Sequence, residues 1–280
     1  MLPATQTGPR PVRLELSGVK LDEAFAALAA GAEDAGGVEH YVDALKLKGA
    51  LFAETLGGGR ARDADLAAFR GVCAWIAPVR RRIGPYIEPE AYPALREGVA
   101  ELLEGAEVAA AADARIDRFC ARFPADRAHR WVRDLAAEIL HFTHPERYPL
   151  MARWVWDART NTGMLREIWH GEDADFNALD VPATFETFVV LRQELAQFLA
   201  ARGVYRDMMF FIDLIAAQVY ARYIHEQGGT YIKADFSNAE EPMMHVRRLL
   251  GLDGVAANGR TRLKAADGTA VVIEDLPRLA

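Results

Sequence analysis

The sequence predicts a mainly α-helical fold, a multi-helix globular bundle with a small C-terminal β-hairpin. Three observations lead there. Apolar residues recur at three- and four-residue steps through most of the chain. Strand-like alternation is confined to the two ends. The composition of the 280 residues, 51% hydrophobic and 26% charged, is that of a folded globular protein, which excludes disordered, collagen-like and disulfide-scaffold classes.

Taken in order, residues 12–16 suit a short strand. Over 40–56, Tyr41, Leu45, Phe52 and Leu56 fall on one helical face together with Ala44, Leu47 and Leu51, and the glycines at 57–59 end the helix. Asp63 is placed to cap a helix carrying Leu66, Phe69, Cys73 and Ile76, which Pro78 shortens before the basic run 80–82. Two alanine-rich helices, 107–123 and 126–142, are separated by Pro124. The acidic stretch 171–180 reads as a long loop. A single domain spanning 1–280 is expected, with a subdivision near 171–183 as the alternative. The segment 184–202 has one apolar side and ends at Gly203, whereas 206–226 is apolar almost all round and is expected at the centre. Residues 227–241 suit a mobile lid. Within 258–276, the runs 261–264 and 270–273 flank Asp267-Gly268 and make the hairpin.

Forty acidic against 33 basic residues leave a net charge of −7, which disfavours broad attraction to nucleic acid. The two cysteines, Cys73 and Cys120, form neither a Cys-x-x-Cys motif nor a disulfide framework, so a reducing cytoplasm is expected. No secretory signal and no membrane-length apolar run is visible, and a membrane partner is not expected. Gly-x-Ser-x-Gly, a dinucleotide fingerprint, a phosphate loop and His-Glu-x-x-His are all missing.

Rare residues crowd one segment. Four of five tryptophans and four of seven histidines lie between His129 and His170, where an even spread would place about two of these twelve. The ordinary reading is a packed core with histidines completing hydrogen bonds. The functional reading is a ligand or partner site, for which His144, Tyr148, Trp154, Trp156 and Trp169 are the candidates. Two Glu-x-x-His pairs, Glu138/His141 and Glu167/His170, place a carboxylate and an imidazole on one helical face, the ligand spacing of di-metal bundles, so a divalent metal or di-iron centre is the candidate cofactor.

Residues 139–155, ILHFTHPERYPLMARWV, resemble a short segment of some bacterial proteins related to helix-hairpin-helix DNA glycosylases. The resemblance covers under a tenth of the chain. The glycine-rich hairpin with an adjacent catalytic Lys or Asp is not present, so no activity or residue role follows from it. The arginines at 80–82 suit a phosphate contact or, more simply, a helix C-terminus. Asp213, in an apolar stretch, requires a partner such as Arg or His.

Three functions are therefore expected, in this order. The first is an accessory protein that binds another protein or a small ligand through 129–170. The second is a carboxylate-histidine, di-iron-like oxidoreductase. The third is a nucleic-acid-binding protein using 80–82. No nucleophile–base set points to a catalytic residue.

Overall fold

The computed structural model describes residues 12–170, 178–231, 243–256, 260–273 and 276–279, with the backbone alone for 227–231. It is mainly helical. Ser17 opens α1 (Gly18–Ala32) by accepting from the Lys20 amide, and the helix buries Leu21, Ala24, Leu28 and Ala32. That stripe is half alanine, which explains why the sequence does not announce it. In α2 (Val38–Leu56), Tyr41, Leu45, Phe52 and Leu56 are buried as expected, while Leu47 is exposed. Asp65, not Asp63, caps α3 (Leu66–Ala74), its Oδ1 accepting from the Ala68 amide at 2.7 Å.

Next come α4 (Tyr92–Leu103), started by a proline in its first turn, and α5 (Ala112–Cys120). Asp126 caps a single 3-10 turn, Arg127–His129, and α6 (Trp131–Thr143) follows. The remaining helices are α7 (Met164–Glu167), α8 (Phe185–Ala200), α9 (Met208–Tyr231) and α10 (Met244–Leu249). Helix α9 packs against α1, α2, α7, α8 and α10, and α6 against α2, α4 and α5. Its neighbours on every side are the reason α9 is apolar almost all round. The buried apolar side chains form one cluster, each large member contributing about 1.5–3 kcal/mol of transfer free energy. No described helix is long and apolar enough to cross a membrane.

The C-terminal β-hairpin is corrected. Among the described residues no strand forms, only isolated bridges such as Lys264↔Ala270 and Val255↔Thr261. A turn at Gly268, with φ of 83°, does bring Ala265 N to Thr269 O and Val271 N to Leu263 O, both at 2.9 Å. The ladder stays incomplete because the return partners are taken within the segment: Thr269 N donates to Asp267 Oδ1 at 2.8 Å, and Val271 O accepts from the Thr261 hydroxyl. The expected strand at 12–16 is reduced to a bridge between Leu16 and Trp169. Most of the acidic loop (171–177), the lid from 232 to 241 and hairpin positions 258–259 and 274–275 lie outside the described residues.

Candidate functional site

Three short segments meet over the start of α6. The first follows α3, which ends at Ala74; hydrogen-bonded turns through Pro78 then carry Arg80 and Arg81. The second is the turn after Arg153. Asp157 N donates to Thr162 O at 2.8 Å, Asn161 takes a left-handed φ of 53°, and the Asp157 carboxylate accepts from the Arg159 amide at 3.2 Å. The third is the turn 251–254 after α10. Gly251 has a φ of 75°, and a Cβ there would lie 1.8 Å from the Trp75 carbonyl oxygen, so only glycine lets this turn rest on the end of α3. From below, the Lys48 ammonium holds the turn by donating to Leu250 O at 2.8 Å and to Glu138 Oε2 at 2.9 Å.

Together these segments enclose a cleft of about 930 Å³. Arg80, Arg81, Arg130, Arg153, Arg248 and Arg262 line it with Lys264, against only Asp134, Asp157 and Asp253. Among the described lining residues, seven cations against three carboxylates leave an excess of four positive charges. Each carboxylate is already engaged. Asp134 Oδ2 accepts from Arg153 Nε at 2.9 Å and Nη2 at 2.6 Å, and Asp157 accepts from Arg130 at 2.6 Å. Asp253 accepts from Arg80 at 2.7 Å, with Arg262 at 3.5 Å and Arg248 at 3.8 Å from its other oxygen. Arg81 and Lys264 have no ion-pair partner among the described residues.

Burial pulls Arg80 below the ordinary arginine value, with Asp253 opposing. Burial likewise pushes the Asp134 carboxyl up against the pull of Arg153. Arg80 is only 4% exposed, yet its Nε has no hydrogen-bond partner among the described residues. Two aromatic rings complete the wall. Trp154 stacks on Tyr220 with centroids 6.3 Å apart and planes 26° apart, and its buried Nε1 is also without a partner among the described residues. Thr160 and Thr162, whose hydroxyls are 2.8 Å apart, add polar rim groups. The described lining contains no His, Cys or Ser; its cations can receive an anion and its rings a flat ligand.

The crowded segment 129–170 does not form one site. Of its candidates, Trp154 alone lines the cleft. Trp156 is buried and donates to Val181 O at 3.0 Å, while Trp169 is half-buried near Leu16. Tyr148 is buried, its hydroxyl donating to Ala106 O at 2.7 Å. His144 borders a separate hollow of about 270 Å³ beside the glycines at 57–59, and burial with Arg147 nearby holds its imidazole below the usual value.

The four proposed metal ligands have other surroundings. Glu138 pairs with Lys48. His141 Nδ1 donates to Tyr148 O at 2.8 Å and its Nε2 meets Asp213 Oδ2 at 2.8 Å, which supplies the partner Asp213 requires. Glu167 borders a hollow with Lys20 and Arg222, and His170 is exposed. Among the described residues no group of three or more His, Cys, Asp or Glu side chains is placed to hold a metal ion.

Sequence reasoning missed most of the cleft. Of its cations, Arg80 and Arg81 fall in the basic run the sequence singled out, whereas the other five are scattered between positions 130 and 264. The chain matches no protein-family model, and neither the curated proteins nor the solved structures give a match.

Proposed function

We propose that the chain is a nucleic-acid-binding protein whose basic cleft holds the phosphates of a strand. The observation that supports this most is the inverted charge: among the described residues, an excess of four cations lines one cleft, whereas the full sequence carries a net charge of −7. The acidic remainder of the surface repels phosphate, so contact is restricted to the cleft. A nucleoside monophosphate fits less well: it carries about two negative charges against four surplus cations, whereas a nucleoside triphosphate carries about four and is the competing small ligand. In this reading the arginine–aspartate pairs orient the guanidinium groups, while Arg81, Lys264, Arg248 and Arg262 meet phosphate. We place the protein in the cytoplasm, where both free cysteines stay reduced.

The test is fluorescence anisotropy with a labelled single-stranded oligonucleotide of about 20 nucleotides at about 50 mM salt. Wild-type protein should bind, and the double variant R81E/K264E should lose at least about tenfold in affinity while keeping its unfolding midpoint. Inorganic phosphate, AMP and ATP should compete only at far higher concentration. Equal competition by AMP or ATP would replace the strand with a free nucleotide as ligand, and the absence of binding at low salt would end the proposal.

A further inference from the structure

We infer that the cleft takes an unpaired nucleobase against the Trp154–Tyr220 face, so that the protein prefers single-stranded segments to continuous duplex. This rests on the reading that the cleft holds a nucleic-acid strand, and deepens it.

The rings form a ladder. Trp154 stacks on Tyr220 at 6.3 Å and 26°, and Tyr220 stacks in turn on Tyr223 at 5.7 Å and 24°. All three are half-buried, and Trp154 and Tyr220 both border the basic cleft. A near-parallel stack with one end at a cleft offers a flat surface of the kind a base ring covers. Phosphate-binding groups stand beside it: Arg153 directly precedes Trp154 in the chain, and Asp134 fixes its guanidinium through two hydrogen bonds. In duplex the base faces are covered by their neighbours, so the strand must present an unpaired base to use this surface.

The experiment separates base from phosphate. A mixed-sequence strand of about 12 nucleotides, an abasic strand with the same phosphates and the corresponding duplex are titrated against the protein by anisotropy at one salt concentration. The base-bearing strand should bind about tenfold tighter than the abasic strand and tighter than the duplex, although the duplex carries more phosphate. Trp154→Leu and Tyr220→Leu should each shrink the base-dependent gain to about twofold, whereas Trp154→Phe, which keeps a ring, should retain most of it. Abasic and base-bearing strands bound equally by wild-type protein, with the salt dependence intact, would overturn the stacking inference and leave the phosphate-binding reading standing. No binding of any of the three would overturn both.

Discussion

Replacing Lys48 with methionine removes one cation from beneath the cleft and keeps nearly the same volume. The ammonium is fully buried, 2.9 Å from Glu138 Oε2, 2.8 Å from Leu250 O and 3.8 Å from the centre of the Phe142 ring. Burial drives the Lys48 amine down and the Glu138 carboxyl up, and each group opposes the other's shift. Without the cation, Glu138 is left as an uncompensated buried carboxylate whose Oε1 already has no partner among the described residues. Breaking such a pair costs about 3–5 kcal/mol. The orphaned Leu250 carbonyl overlaps with that figure, so we take about 4 kcal/mol for Lys48→Met, a large share of a total stability of about 5–15 kcal/mol. In the double variant K48M/E138L both charges are gone and only the carbonyl is unpaired, which should cost about 1–2 kcal/mol. Urea unfolding measures both: the midpoint should fall while the slope stays constant, and the double variant should be about 2–3 kcal/mol more stable than Lys48→Met alone. A single variant losing less than about 1 kcal/mol, or a double variant less stable than the single, would refute the reasoning.

Other consequences can be measured separately. Gly251→Ala should cost more than about 3 kcal/mol in urea unfolding, because its Cβ would lie 1.8 Å from Trp75 O, whereas Gly203→Ala, at φ of 85° with nothing within 4 Å, should cost only about 1–2 kcal/mol. Asp253→Asn should lower stability by about 3 kcal/mol, since it strips the carboxylate from buried Arg80, and phosphate should raise the variant's melting temperature more than the wild type's; equal shifts would argue against anion binding in the cleft. His144, held below its usual value by burial, favours its neutral form when folded, so the unfolded chain takes up a proton first as pH falls. Its contribution should therefore be present above the ordinary histidine value of about 6.5 and be lost below it, making the wild type's unfolding midpoint fall more steeply than that of His144→Gln between about pH 7.5 and 5.5. Parallel pH profiles would contradict this.

The helices were legible where large apolar residues repeat. Tyr41, Leu45, Phe52 and Leu56 mark α2, and the all-round apolar run of α9 marks its central place. Alanine hides α1, and the hairpin was overread because alternation cannot show that Thr269 N would bond to Asp267 Oδ1, and Val271 O to the Thr261 hydroxyl, instead of across the ladder. The site was mostly hidden. Trp154, Trp156 and Trp169 lie close in sequence, but one lines the cleft, one is buried in the core and one is half-buried near the N-terminal segment. Conversely, Arg80 and Arg262 are far apart along the chain and share Asp253 in space. Local crowding reports composition, whereas convergence of distant cations depends on how turns such as 251–254 seat against helix ends.

The central claim is that surplus cations in the cleft meet phosphate, and the salt dependence of strand binding tests it most directly. Four surplus charges predict a slope of log affinity against log salt of about −3 for a single strand, falling to about −2 in Lys264→Ala. A slope near zero, or one that Lys264→Ala leaves unchanged, would contradict the account.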